Sequence, residues 1–382
     1  MLDRLPPEIL DDILLLAAPP PRYDDEPHRE PERRKTLLAC CLVSKALCSC
    51  AQRLLWGNIV LSGQDSDQVS LEFRRFASLL SLDIGESKDD VTKKRLEQSI
   101  PRLMGLVRTF RVQKYALAST ERLVMLFDVL ASLPPTVQQV QLDLGSLGLA
   151  RAQSQPLLLM RLAPVARNLS SFSCAKHRIV GDTPPLSSLT ILSLREVRGT
   201  SPTYSALFCS TTLPSLRVLA FDIHLSSDDP LEALTPSFVS QLDVLQLETD
   251  DFLRLSADLF PHPFALVVDW ITFSCLGPIL ARVQHLQLPN FHLRLPLIYL
   301  FELSWAHHAP FNEIKQAFDA FPTLRAFRRP TSAHLHLLPS VDRDLEALMP
   351  TCEERGTEVC YGVKPEEVWA AVKRIRARAD EQ

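Results

Sequence analysis

The stretch "LTILSLREV", residues 189–197, carries the pattern that decides the fold. Leu189, Leu192 and Leu194 are apolar, and Ser193 between the last two is polar, as in a short strand with one buried face. The same arrangement recurs along the chain at intervals of roughly 20 to 40 residues, which indicates a structural repeat. Its other full copies begin at Val137, Leu169, Leu216, Leu242 and Val283, and weaker copies begin at Val107 and Leu324.

Between these copies the apolar spacing changes to that of a helix. We predict helices over residues 70–82, 119–133, 155–168, 296–309 and 311–321. A helix after a strand carries the chain back to the start of the next strand. The alternation therefore predicts an α/β fold with a parallel sheet.

The repeat resembles that of an irregular leucine-rich-repeat solenoid, which we assign to residues 62–362. The resemblance implies that the strands line the concave side and that no repeat buries its apolar face alone. One family feature is missing, because the family's asparagine after the strand is replaced by Val197, His224, Asp250 and Phe291. The number and curvature of the repeats therefore stay open.

Polar residues alternate with the buried leucines and would stand in rows on the concave face, where solenoids bind their partners. Their mixed charge suits a protein surface or a degron better than a polyanion. The alternative for each residue is a merely solvated sheet face. The candidate substrate-binding residues are Gln139, Gln141, Asp143, Ser193, Arg195, Asp222, Gln246, Glu248, His285 and Gln287.

A different pattern opens the chain. "LPPEILDDIL", residues 5–14, predicts a helix with prolines in its first turn. Ile9, Leu10, Ile13 and Leu14 form its apolar stripe, which Leu15 and Leu16 widen until the helix is apolar over most of its circumference. Such a surface must be covered, either by the chain itself or by a partner.

The residues that follow complete a small helical domain, residues 1–61. Residues 19–36 are rich in proline and charge and predict a mobile loop. "LLACCLVSKALCSCAQRLLWGNIVL", residues 37–61, predicts two short helices broken near Ser44 and a strand from Asn58 to Leu61.

This arrangement resembles the F-box, a helical module that docks onto the Skp-family adaptor of cullin-RING ubiquitin ligases. Two features depart from the family pattern: the first loop is long, and Lys45 and Ala46 stand where a basic residue and an aromatic are common. The resemblance implies an adaptor-binding set of Leu5, Pro6, Ile9, Leu10, Ile13, Leu42, Val43, Leu47 and Trp56.

On this resemblance we expect a substrate-recruiting subunit of an SCF-type ubiquitin ligase, whose repeats hold a protein substrate. The chain would then be no enzyme and would need no cofactor. The alternative is a non-catalytic leucine-rich-repeat scaffold or inhibitor whose N-terminal helices only cap the solenoid. Exposure of Pro6, Ile9 and Ile13 distinguishes the two, because a cap would bury them.

The end of the sequence predicts a further helix. Residues 363–382 carry Pro365 and two glutamates near the start and basic residues near the end, as expected of a helix. We predict that it caps the solenoid and buries Val368, Val372 and Ile375.

Composition disfavours other classes of protein. The net charge of −4 gives no bulk attraction to nucleic acid or to an anionic membrane. No apolar run approaches the roughly 20 residues of a membrane span, and the acidic N-terminus lacks secretory features, so we expect the cytoplasm, the nucleus or both.

Catalytic and metal signatures are also missing from the sequence. Only 11 glycines stand beside 29 prolines, and glycine-rich phosphate loops and nucleophile elbows do not occur. Cys40, Cys41, Cys48 and Cys50 lack the spacing of a structural zinc site, so we expect core thiols and no metal.

Overall fold

A computed structural model gives the structure of the chain. It describes residues 5–18, 29–61, 71, 74–77, 99–112, 120–143, 157–175, 178–195, 197–222, 230–260, 263–270, 278, 281–282, 297–302, 324–329, 350, 354, 358–361, 369–370 and 372–373. The chain divides into two compact units, Met1–Leu189 and Thr190–Gln382.

Three helices begin the first unit: α1 (Pro7–Ala17), α2 (Arg29–Cys41) and α3 (Lys45–Gly57). The break predicted near Ser44 is confirmed, because the Ser44 hydroxyl accepts a hydrogen bond from the Leu47 N–H and caps α3. These three helices, which we call the helical unit, enclose an apolar core of Leu10, Leu14, Ala18, Leu37, Leu47, Cys50 and Ala51.

The loop predicted for residues 19–36 is wrong over its second half, where α2 begins at Arg29. The first part of α2 is charged and has no apolar stripe, so the sequence pattern did not predict a helix there. Tertiary hydrogen bonds hold it: Arg33 donates to the Leu54 carbonyl at 2.9 Å and Arg34 to the Val60 carbonyl at 2.6 Å. Residues 19–28 lie outside the described residues.

Four parallel strands form the sheet that the structure describes in the first unit. The strand predicted for Asn58–Leu61 is confirmed as β1. It pairs with β2 (Thr109–Val112), which pairs with β3 (Gln139–Asp143), which pairs with β5 (Ser171–Ala175). Helix α4 (Thr120–Ser132) links β2 to β3, and β4 (Leu157–Leu158) pairs separately with β6 (Ile179–Val180).

Seven parallel strands are described in the second unit, paired in chain order. They are β7 (Ile191–Arg195), β8 (Val218–Asp222), β9 (Val244–Glu248), β10 (Ala265–Trp270), β11 (Leu297–Glu302), β12 (Leu324–Arg329) and β13 (Glu358–Tyr361). Its short helices are α5 (Ser201–Leu207), α6 (Pro236–Ser240) and α7 (Thr249–Arg254).

The repeat in the sequence corresponds to a repeated turn and strand. Before β8, the Leu216 N–H donates to the Leu213 carbonyl, and both leucines are fully buried. The next two N–H groups, of Arg217 and Val218, both donate to the Thr190 carbonyl at 2.9 Å. Because turns of this kind precede β2, β3, β7, β8 and β9, each strand enters the sheet in the same register.

Two predicted helices are wrong. Residues 157–158 form β4, with a 3₁₀ turn over Leu159–Leu162 after it, and residues 297–302 form β11. In both stretches the apolar residues are continuous, a pattern that fits a helix and a buried strand alike, and backbone pairing with a neighbouring strand decided the outcome. Strand β10 lacked the repeat pattern and was not predicted. The predicted strand at Val283, the helix at 311–321 and most of that at 70–82 lie outside the described residues.

A tyrosine side chain makes a hydrogen bond to a backbone carbonyl after β7. The Tyr204 hydroxyl donates to the carbonyl of Val197, which is one of the positions without the expected asparagine. The Tyr204 ring is buried and stacks on Phe208, which also packs near Phe221 and Phe238. Aromatic packing thus supports the turn after this strand.

The prediction of an α/β fold with a parallel sheet and several helices is confirmed.

Candidate protein-docking site

Helix α1 divides its apolar residues between two sides. Leu10 and Leu14 are 1% exposed and lie in the core of the helical unit. Leu5, Ile9 and Ile13 are 37%, 45% and 42% exposed. At helical spacing Ile9 and Ile13 follow one another along one line of α1, and Leu5 lies just before the N-cap Pro6. We call Leu5, Ile9 and Ile13 the α1 stripe.

A second exposed apolar group lies where α2 turns into α3. Leu42 and Val43 are 89% and 64% exposed. The Cys40 and Ala39 carbonyls accept hydrogen bonds from the N–H groups of Val43 and Leu42, which fixes the turn. Leucine and valine held at the tip of an ordered turn are available to a partner.

Contacts between α1 and α3 place the two groups at the same end of the helix pair. Cys50 Sγ lies 3.9 Å from the Pro7 carbonyl, and Arg53 Nη2 lies 2.8 Å from Asp11 Oδ2. The two helices therefore run side by side in the same direction. The turn before α3 lies toward the start of α1, where Leu5 stands.

The other predicted adaptor-binding residues are placed differently. Leu47 is 6% exposed and, like Leu10, belongs to the core of the helical unit, whereas Pro6 is exposed and Trp56 is partly buried. A partner that leaves the helices in place reaches Pro6 but neither Leu10 nor Leu47. We therefore define the candidate site without those two leucines.

Two exposed residues extend the site beyond the predicted set. Leu16 on α1 is 84% exposed, and Leu38 on α2 is 54% exposed. Leu16 stands one turn after Ile13, so the helical period of the α1 stripe already pointed to it. Leu38 is adjacent in sequence to the buried Leu37, and only the packing of α2 shows which of the two faces outward.

The cysteines of the helical unit are thiols of the core or its margin. Burial raises the pKa of the Cys41 thiol, and Cys48 beside it raises the pKa further. Burial also raises the pKa of Cys50, with Asp11 as the next cause. Such thiols stay protonated at neutral pH and behave as small apolar groups. No group of three metal-ligating side chains occurs among the described residues.

The predicted substrate-binding residues fall on both units. Gln139 is exposed and Gln141 partly exposed on β3, and Arg195 is exposed at the end of β7. Gln246 on β9 is 5% exposed, so it does not belong to an open surface. Asp143 and Asp222 end their strands, Ser193 and Glu248 are partly exposed, and His285 and Gln287 lie outside the described residues.

The C-terminal segment explains why the face around Gln246 is covered. Val372 is fully buried against Val218, Val244, Ala265 and Val267, and Trp369 packs against the same cluster. The predicted end cap is thus placed differently, because these contacts lie on a face of strands β8–β10. Val368 and Ile375 lie outside the described residues.

Comparisons with known proteins do not assign the chain to a family. The chain matches no protein-family model, and no curated protein matches it significantly. Among the described residues, no helix has both the length and the apolar character that crossing a membrane requires.

Proposed function

We propose that the chain is a substrate-recruiting subunit of an SCF-type ubiquitin ligase, with the helical unit docking onto a Skp-family adaptor. The observation that carries the proposal is the α1 stripe. Ile9 and Ile13 are 45% and 42% exposed on α1, Leu5 just before the helix is 37% exposed, and Leu10 and Leu14 on the other side of α1 are buried. A surface of this kind is typical of a protein interaction site.

The exposure of the α1 stripe favours a receptor over a simple cap. If the N-terminal helices served only to close the sheet, Pro6, Ile9 and Ile13 would face the rest of the chain. All three are exposed, and the core of the helical unit is completed by other residues. The helical unit thus has a packed interior and a separate apolar surface, as a docking module requires.

The size of this surface limits the affinity that it supplies. Full burial of an apolar side chain contributes about 1.5 to 3 kcal/mol, and about half of the surface of a typical stripe residue is already covered. Association costs about 4 to 15 kcal/mol, so the α1 stripe alone gives no tight complex. Leu42, Val43, Leu16 and Leu38, which are more exposed, are needed as well.

One observation favours the second candidate, a leucine-rich-repeat scaffold. Helix α3 runs directly into β1, and the Gly57 carbonyl that ends it accepts a hydrogen bond from the Arg108 N–H at 3.0 Å. With Arg34 bound to Val60, the helical unit is tied to the first strand of the sheet. A helical end cap would make the same contacts.

Co-elution with a purified Skp-family adaptor separates the two candidates. We expect the wild-type chain to elute with the adaptor at one-to-one stoichiometry. The combined variant Leu5→Ala, Pro6→Ala, Ile9→Ala should elute apart from the adaptor, with its circular dichroism unchanged. If the wild-type chain and the variant both elute alone, the scaffold becomes the better account.

A further inference from the structure

The face of the second unit that contacts the C-terminal segment is apolar where the strands begin. We call this the tail-side face and define it by Ile191, Val218, Val244, Ala265 and Val267. Strand pairing aligns Ile191 with Val218, Val218 with Val244, and Val244 with Ala265 in one row. The alternate residues, such as Leu192, Leu219 and Leu245, are buried on the opposite face.

The equivalent row in the first unit is polar. Strand pairing aligns Thr109 with Gln139 and Gln139 with Ser171. Gln139 is exposed and the other two are partly exposed, and the Thr109 hydroxyl donates to Gln139 Oε1 at 3.3 Å. The same structural position is therefore polar where it is open and apolar where the C-terminal segment covers it. The tail-side face is built to hold an apolar ligand.

Two described residues of the C-terminal segment contact this face. Trp369 and Val372 supply the apolar contacts, one helical turn apart. The Trp369 indole N–H is buried and has no hydrogen-bond partner among the described residues. A buried donor left unpaired weakens the association that buries it. Displacing the segment returns this N–H to water, which lowers the cost of replacing it.

Charge indicates the chemistry of such a ligand. Toward the ends of the strands, Glu248 pairs in register with Asp269, and Asp222 ends the neighbouring strand β8. Lys373 Nζ lies 3.2 Å from the centre of the Trp369 ring and is exposed. The sequence after Val372 reads "KRIRAR". An apolar pair followed by basic residues therefore complements an apolar row followed by acidic positions.

We propose that the tail-side face is a docking surface for a basic amphipathic helical segment of a partner protein, and that Trp369 and Val372 of the chain's own C-terminal segment occupy it as a built-in competitor. The partner segment carries an aromatic and a β-branched residue one turn apart, followed by lysine or arginine. The identification of this partner as the ubiquitylation target rests on the proposed function. The existence of the docking surface is independent of that function.

A peptide of residues 364–382, labelled with a fluorophore, tests the proposal by anisotropy on the full-length chain. Val372→Asp places a charge at a fully buried position and should release the chain's own segment. We expect this variant to bind the peptide at least tenfold more tightly than the wild-type chain does. Ala370→Asp, at an exposed position of the same turn, is the matched control and should behave as wild type. A peptide carrying Val372→Asp should bind none of the three chains.

Equal peptide binding by the Val372→Asp chain and the wild-type chain, including no binding by either, would overturn the proposal. If Val372→Asp does not melt cooperatively, Trp369→Ala is used with the same criterion, because it removes apolar area without burying a charge. Adaptor co-elution depends on the helical unit and is measured on the same variants. If the peptide test fails while adaptor binding is intact, the docking surface is refuted and the proposed function is kept. If adaptor binding fails while the peptide test succeeds, the proposed function is refuted and the docking surface is kept.

Discussion

At the scale of single residues, the burial of Ile9 and Leu10 separates stability from binding. These neighbours on α1 are 45% and 1% exposed. Leu10 contributes to the core of the helical unit, and Ile9 contributes to its outer surface. The resemblance to the F-box placed both in one adaptor-binding set, because an apolar helix does not reveal which of its sides the chain itself covers.

Aspartate substitutions at these two positions should therefore have different effects. Leu10→Asp buries an unpaired charge and should cost more than about 3 kcal/mol in the helical unit. Ile9→Asp should cost less than about 1 kcal/mol, because its carboxylate can reach water. Hydrogen exchange of the α3 amides measures the difference. Equal protection in the two variants would contradict the assignment of Leu10 to the core.

A glycine in the second unit is fixed by a close approach. A Cβ atom at Gly199 would lie 2.9 Å from Cζ of Tyr204, whose buried ring cannot move away while its hydroxyl binds Val197. Gly199→Ala should lower the free energy of unfolding by about 1 to 3 kcal/mol in urea denaturation. Gly57→Ala is the control, because the nearest atom to its Cβ lies 3.8 Å away. Equal stability of the two variants would rule out the predicted clash.

At the scale of secondary-structure elements, the strands with buried leucines were predictable and the irregular ones were not. The repeat pattern located β2, β3, β5, β7, β8, β9 and β12, because alternate residues of a half-buried strand differ in polarity. Strands β10 and β11 were not predicted, because apolar residues occupy both faces of β10 and the sequence of β11 shows no alternation before its last residue, Glu302. The start of α2 was not predicted, because it is stabilised by hydrogen bonds from arginine side chains to carbonyls that are distant in the sequence.

Substitutions on the two faces of β7 test the strand assignment. Leu192 is 1% exposed, and the neighbouring Ser193 is partly exposed on the opposite face. Leu192→Asp should lower the free energy of unfolding by more than about 3 kcal/mol, and Ser193→Asp by less than about 1 kcal/mol. Urea denaturation measures both. If the Leu192→Asp chain were as stable as the wild type, the assignment of Leu192 to the buried face of β7 would be wrong.

At the scale of the whole molecule, each unit carries a candidate interaction surface with a different character. The helical part of the first unit exposes apolar side chains, and the sheet of the second unit covers its apolar row with the chain's own C-terminal segment. One surface is open and the other is occupied. On the proposed function, the open surface is the adaptor site and the occupied surface is the target site.

The function could be inferred from the sequence only through resemblance. The motif at residues 5–14 suggested a docking helix, and its exposed side was needed to define which residues face a partner. The occupied state of the tail-side face was not predictable, because the contact joins Val372 to strands more than a hundred residues earlier in the chain. The periodicity of apolar residues along the chain carries no information about such distant pairs.

The central claim is that the α1 stripe binds a Skp-family adaptor, and calorimetric titration of three full-length chains with that adaptor tests it most directly. Ile9→Glu places a charge in the proposed interface. Val124→Glu makes the same change at an apolar residue of α4 that is 50% exposed. We expect wild type and Val124→Glu to bind alike, and Ile9→Glu to bind at least about 30-fold more weakly, or about 2 kcal/mol. Equal affinity of all three chains, or no binding by any of them, would contradict the account.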